Sequence, residues 1–231
     1  MAIMTRSGRA ALAAAVMQQP LHLAWGSGST EWEEAAPDYV GAFSGADVLQ
    51  LPHAYIKDVV VTTSDDATTY IVSSDYTVDA TTGCILRVVT GAIPSLGTVK
   101  VAYSRDTPPN DVTQEAMLNE LGRRIVDEVA FVVADEEGAI VAPTGRFTLC
   151  AYPTNHLFVR VRFDFADAAT SILREQGLFV GTVIKSGVPD GQKYFEPGDV
   201  TDPGILLIAQ NTVPIIRQPS TRETFEFVVT F

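Results

Sequence analysis

The sequence predicts a mainly β protein with a few short helices, an α+β chain of antiparallel sheets carrying an inserted β-sandwich-like module. Strand-like runs with period-two alternation recur. In the clearest, Leu157, Val159, Val161, Phe163 and Phe165 share one face while Phe158, Arg160, Arg162 and Asp164 share the other, the pattern of a half-buried antiparallel strand with a charged outer face. Turn clusters Ser64-Asp65-Asp66, Thr82-Gly83 and Ser95-Leu96-Gly97 punctuate short strand-like runs between residues 48 and 104, the spacing of a small sandwich. Helical signals are confined to short stretches.

At the N-terminus, Arg6 and Arg9 precede the apolar run Ala10–Met17, which mimics a short signal peptide. The run is mostly alanine and leads into Gln18-Gln19-Pro20 instead of a small-residue cleavage site, so it reads as a helix capped by Thr5 or Ser7. No apolar stretch approaches the ~20 residues that span a bilayer. Leu21–Trp25 reads as a short buried strand closed by the turn Gly26-Ser27-Gly28, and residues 29–47 as an acidic, aromatic loop with one turn of helix. Ile56–Thr62, Thr69–Val72, Ile85–Val89 and Thr98–Tyr103 follow as strands. Pro108-Pro109-Asn110-Asp111 marks a boundary, after which Asp111 or Thr113 caps a helix through Leu121. Ala166–Glu175 is expected as a short helix or turn leading into the strand Leu178–Ile184. Ile205–Ala209 and Val213–Ile216 are expected as separate strands flanked by turn-rich stretches. The last strand alternates Phe225, Phe227, Val229 and Phe231 with Glu226, Val228 and Thr230. It either pairs within its own sheet or adds to the edge of a neighbouring subunit. The predicted organisation is one α+β domain of residues 1–47 and 105–231, with a β module of residues 48–104 inserted.

A formal net charge of −12 argues against nucleic acid as a partner, because binding the phosphate backbone requires a stripe of Lys and Arg. Cys84 and Cys150 are expected as small core residues; their spacing does not decide whether they pair. No phosphate-binding Gly-rich loop or nucleophile elbow is present. His22, His53 and His156 do not fall at metal-ligand spacing. Carboxylates cluster at Glu31-Trp32-Glu33-Glu34, Asp65-Asp66, Asp135-Glu136-Glu137 and Asp199/Asp202. They read as solvated turns in preference to the paired acids of a glycosidase or a calcium loop. The expectation is a non-enzyme with no cofactor and no metal.

Three sets of residues carry a family resemblance. The first is Met4–Val16 followed by Pro20-Leu21-His22-Leu23-Ala24-Trp25-Gly26-Ser27-Gly28. The second joins Leu118-Asn119-Glu120-Leu121-Gly122-Arg123-Arg124 to Ile172-Leu173-Arg174-Glu175-Gln176-Gly177-Leu178-Phe179. Together they resemble the attachment domain at the N-terminus of tail-fibre and tail-collar proteins of tailed bacteriophages. The third, Asp75-Tyr76-Thr77-Val78-Asp79 with Gly83 and Val99-Lys100-Val101-Ala102-Tyr103, looks like a small β module of phage virion proteins.

The resemblance implies a virion structural protein of the tail, assembled in the host cytoplasm. Its expected role is a baseplate connector joining tube, sheath or wedge proteins to one another or to fibres. Expected partners are other tail and baseplate proteins, in multiple copies round a ring, with no nucleic acid and no membrane insertion. Because no fibre shaft follows Phe231, the resemblance favours a connector over a host-recognition protein. It also implies that Glu120 and Arg124 pair with Arg174 and Glu175, with Arg123 beside them. As bidentate pairs at a subunit contact these would fix register; as ordinary exposed pairs they would be worth less than ~1 kcal/mol each. Phe225, Phe227 and Phe231 complete the interaction candidates. Two other readings stand beside this one: a carbohydrate- or receptor-binding β-sandwich using Trp25, Trp32 and Tyr39, and a neck or tail-terminator ring protein.

Overall fold

The computed structural model describes residues 2–231. Helix α1 (Arg6–Met17) and strand β1 (Leu21–Gly26) open the chain. The middle holds β2 (Tyr39–Ala42), β3 (Val48–Gln50), β4 (Ile56–Thr63), β5 (Tyr76–Asp79), β6 (Cys84–Arg87) and β7 (Thr98–Arg105). Then come β8 (Glu120–Ile125), β9 (Glu128–Ala134), β10 (Ile140–Ala142), β11 (Gly145–Leu149), β12 (His156–Phe163) and β13 (Ile172–Val180). The chain finishes with β14 (Val183–Ile184), β15 (Tyr194–Phe195), β16 (Val200–Asp202), β17 (Ile205–Ile216) and β18 (Glu223–Thr230). The protein is mainly β, with 46% of residues in strands and 7% helical, and its sheets are antiparallel. Two compact units result: Met1–Gly28 with Asn110–Phe231, and Ser29–Pro109.

The first unit is built on two five-stranded sheets, ordered β15-β8-β1-β13-β17 and β10-β11-β9-β12-β18. β1 lies between β8 and β13, and all six of its residues are buried. That explains why Leu-His-Leu-Ala-Trp-Gly lacks a polar face: a central strand covered on both sides has no solvent side to serve. Leu23 and Trp25 from β1 and Leu173 and Leu178 from β13 meet Leu157, Val159, Val161 and Phe163 from β12 in one core. Trp25 stacks on Phe163 and meets Phe225 edge-on at 5.2 Å between ring centroids.

Thr5 caps α1, its Oγ1 accepting from the Gly8 N–H at 3.1 Å. A side-chain oxygen at this position satisfies one of the otherwise unpaired first-turn amides. The helix seats only Ala13 fully in the core, so it lies on the body as a mostly exposed element.

The second unit packs β2-β7-β4 against β3-β6-β5. Phe43, Val61, Ile85, Val99 and Val101 are among its buried core residues. β5 and β6 form a hairpin in which Asp79 Oδ1 accepts from the Thr81 N–H at 3.1 Å. Gly83 completes the turn at φ +72°, and a Cβ there would lie 2.0 Å from the His53 carbonyl oxygen. Glycine is required on both counts.

Several expectations are corrected. Residues 111–119 form turns, not a helix: Asp111 Oδ1 bonds Thr113 locally, and the amides of Leu118 and Asn119 are held by Glu175. Of the short helix or turn expected from Ala166, the turn is what forms over residues 166–170, because Ala168 and Thr170 have φ +47° and +65°, outside the helical region. Residues 172–175 belong to β13, and Leu178–Ile184 is broken at Gly181. Thr69–Val72 makes isolated bridges only. Tyr39–Ala42 is a strand within the stretch read as loop, and Val48–Gln50 is a further strand just beyond it. Ile205–Ile216 is a single strand running through Asn211.

The charged face of β12 is interrupted by Phe158, which is 1% exposed and clusters with Val132 and Phe147, while Phe165 lies beyond the strand and is exposed. Cys84 and Cys150 are free thiols at half-buried positions, outside the cores.

Replacing Phe163 with Ala removes the ring stacked on Trp25. It is expected to lower stability by about 3–5 kcal/mol, read as a reduced urea midpoint.

Candidate functional site

Glu175, a fully buried residue of β13, joins three segments distant in sequence. Its Oε1 accepts from the backbone N–H of Gly28 at 3.2 Å and of Asn119 at 2.7 Å, and its Oε2 from that of Leu118 at 2.9 Å. A buried carboxylate demands such donors, and charge-assisted bonds to backbone amides are the strong kind. The register places Gly26 opposite Glu175. A Cβ on Gly26 would lie 2.2 Å from Glu175 Oε1, so the first glycine of Gly-Ser-Gly is the room that the carboxylate occupies.

The expected cross-pairing of Glu120 and Arg124 with Arg174 and Glu175 does not form. Glu120 instead binds Arg123 in bidentate fashion, at 2.8 and 2.7 Å. Arg123 is 1% exposed, lies 4.1 Å from the centroid of the Phe179 ring and donates Nη1 to Thr182 Oγ1 and the Pro203 carbonyl. It therefore ties down both ends of the 182–203 excursion. Arg124 pairs with Asp167, which also accepts from the Asp164 N–H. Arg174, 7% exposed, reaches the Ser27 carbonyl at 3.4 Å. The alternation of β13 with its neighbours explains the difference: residues adjacent in sequence face opposite sides of the sheet, so Arg174 and Glu175 cannot both meet one partner pair.

Phe225, Phe227 and Phe231 are partly buried against the sandwich core. β18 pairs with β12 along its whole length, from His156↔Thr230 to Phe163↔Glu223. Arg160 on β12 bridges Glu128 and Glu226 on its two neighbours at 2.6 and 2.7 Å, an exposed cross-strand ladder.

Arg217 was not marked by the sequence reading, although it interrupts an apolar stretch just as Arg123 does. It is 1% exposed, 5.2 Å from the Trp25 ring centroid, and bonds Glu223 at 2.8 Å and the Asp164 carbonyl at 2.9 Å. It holds the start of β18 to the loop that precedes β13.

His22 is buried on β1 beside Phe195. Burial, reinforced by the Arg123 charge, brings it down from 6.5 to about 4. Among the described residues no group of three or more His, Cys, Asp or Glu could hold a metal ion. Among the described residues no helix is long and apolar enough to cross a membrane.

The first unit leaves open a charged pocket lined by Arg124, Asp127, Arg162, Asp164, Lys193 and Arg222, a groove and an uncharged sheet edge. An open groove of about 1060 Å³ runs between the first turns of α1 and the 152–156 loop, lined by Arg9, Ala10, Val133 and Tyr152 among others. β17 forms one edge of its sheet. Its twelve residues carry no charge, and Ile205, Val213 and Ile216 are 71, 67 and 67% exposed. Trp25 is fully buried, which removes it from any exposed aromatic platform, and Tyr39 is partly buried against the core of the second unit.

Two family models match the chain. One, described as "Baseplate wedge 3 tail fiber network component", matches residues 1–49 and 95–231. The other, described as a protein of unknown function, matches residues 26–118. No curated protein matches.

Two expectations follow from this geometry. Glu175→Ala strands three backbone amides and should cost about 3–5 kcal/mol. Gly26→Ala should cost less in that background than in the parent, a non-additivity measured by a double-mutant cycle in urea. His22 has a folded-state pKa below its unfolded value, so its neutral form favours the fold. The contribution is whole above the unfolded pKa and is lost as pH falls through about 4. Between pH 7 and 4 this one group should remove about 3 kcal/mol. His22→Leu should therefore flatten the stability–pH curve between pH 6.5 and 4 in calorimetry.

Proposed function

Because the chain belongs to the family of baseplate wedge 3 tail fiber network components, and is a structural protein of the bacteriophage baseplate, we propose that it is a connector there, joining neighbouring baseplate proteins to one another or to tail fibres. The observation that carries this reading is strand β17. A twelve-residue edge without a single charge exposes apolar side chains at Ile205, Val213 and Ile216, with Asn211 tied back to Asn110 midway along it. Soluble proteins ordinarily guard such an edge with Lys, Glu or a covering segment. An extended segment of a neighbour that added to β17 would gain main-chain hydrogen bonds and burial at once. Pro214 and the register shift between Asn211 and Ile215 disturb the strand's second half and another shift falls between Leu206 and Ile208, so an added segment would pair in short runs between these breaks.

The buried ionic contacts support the same role in another way. Arg123, Glu175 and Arg217 spend their charges inside the fold, which leaves a body whose sheets are pinned at several points and whose open edges keep a fixed geometry. In this reading the protein performs no chemistry, meets no nucleic acid and is present in several copies about the tail. The family description favours the baseplate over the neck.

Ile205→Lys combined with Val213→Lys places charge on the edge while touching exposed positions, so each change should alter stability by no more than about 0.5 kcal/mol. The doubly substituted protein is expected to be depleted from purified tails by quantitative mass spectrometry, with its solution fold intact by circular dichroism. Undiminished incorporation would remove β17 as the docking element.

A further inference from the structure

The second unit contains a pocket of about 270 Å³ that the connector role does not use. Trp32, Pro52, Tyr55, Arg105, Glu31 and Asp106 are among the residues that line it. Its two aromatic side chains are conspicuous for what they lack. Neither Trp32 nor Tyr55 makes a side-chain hydrogen bond, ring contact or cation contact among the described residues, and the Trp32 indole N–H is not buried. Trp32 is partly exposed and Tyr55 36% exposed at the pocket, and the polar tip of each is left for a ligand.

The backbone holds them in place. Tyr55 has φ +51°, an uncommon conformation for an aromatic residue. It is fixed from both sides, its N–H donating to the Thr81 carbonyl at 3.3 Å and its carbonyl accepting from the Asp106 N–H at 2.7 Å. Such strain persists where the surroundings over-determine it, and it concentrates at binding sites. Glu33 follows Trp32 at φ +69°, with its N–H donating to the Arg105 carbonyl at 2.9 Å. The Glu33 carboxylate is engaged by Lys57 and by Thr107, so the loop carrying Trp32 is anchored to the end of β7.

We propose that this pocket binds a single pyranose ring, with its C–H face against Trp32 and Tyr55 and its hydroxyls on Glu31, Arg105 and Asp106. The polar groups are of the right kind. Arg105 Nη1 and Glu31 Oε2 lie 2.9 Å apart, a donor beside an acceptor. Adjacent sugar hydroxyls, each both donor and acceptor, match such a pair. The Glu31 and Asp106 side chains are 61 and 46% exposed and keep lone pairs for a ligand. The volume lies just below the ~300–1,000 Å³ of drug-sized sites, the scale of one ring. A proline-rich peptide also docks on aromatics, but it needs an extended groove and has no use for two carboxylates.

The chain has two tryptophans, and Trp25 is fully buried. Quenching by acrylamide therefore reports Trp32. The full-length protein would be titrated with methyl pyranosides of glucose, galactose, mannose, N-acetylglucosamine and rhamnose. Purified lipopolysaccharide and a polyproline peptide would be run alongside, with saturation-transfer NMR on the sugars as the second readout.

At least one free pyranoside is expected to protect Trp32 saturably. Tyr55→Gly, which removes the ring yet suits the left-handed backbone, should weaken that binding at least tenfold, and Glu31→Gln should weaken it as well. Lipopolysaccharide binding tighter than that of the free sugar, and equally sensitive to Tyr55→Gly, would place the sugar on a cell surface; a free sugar as good as lipopolysaccharide would place recognition on the ring alone. The proposal is overturned if no sugar binds, if binding survives Tyr55→Gly undiminished, or if only the polyproline peptide protects Trp32. Tail incorporation is not read in this experiment, so its failure leaves the connector reading intact.

Discussion

The carboxylate of Glu175 is the interaction on which the first unit depends. It sits in the interior, where an ionised group is tolerated only with its lone pairs filled, and it fills them from Gly28, Leu118 and Asn119. One side chain thereby fixes the exit of β1, the entry to β8 and the middle of β13. The requirement runs the other way as well: Gly26 must lack a side chain for the carboxylate to be there at all. Two short sequence segments that look unrelated in the linear chain are two halves of one contact.

Around that contact the sheets follow from simple burial. β1 is buried throughout because it is central, β12 alternates because one of its faces meets Trp25 and Leu173, and β17 is uncharged although Ile205, Val213 and Ile216 are exposed. The last of these departs from the way sheet edges are usually guarded, which is why the proposed docking segment is β17. The buried arginines do not contribute to that surface. Their guanidinium groups are consumed by carboxylates, carbonyls and ring faces, which makes them joints between loops.

Much of this fold was legible in the sequence where local pattern decides. The capped Ala-rich helix, the strand before Gly26, the alternation of residues 157–163 and the hairpin closed at Gly83 are all visible in residue spacing. What was not legible depends on partners far away. Residues 111–119 carry a helix-capping signal, yet their amides are claimed by a carboxylate 56 and 57 residues on. Over residues 166–170 helix and turn were both open, and the left-handed Ala168 and Thr170 decide for the turn.

The charged candidates of the site were found because they interrupt apolar runs. Their pairings were not, since alternation across a sheet sends consecutive charges to opposite faces. Arg217 bore the same signal. The aromatic candidates show the limit most plainly: Trp25 and Trp32 differ little as letters, and one is wholly enclosed while the other lines a pocket.

β1 is the central strand of a sheet whose other members are not synthesised until residue 120 and beyond. During translation Leu21–Gly26 must therefore wait, apolar and unpaired, while the whole of Ser29–Pro109 emerges and closes on its own contacts. Contacts of such sequence separation form late and slowly, and an uncovered hydrophobic strand is then open to intermolecular error. The order of synthesis thus sets the strand that ends up most enclosed as the one that stays exposed longest.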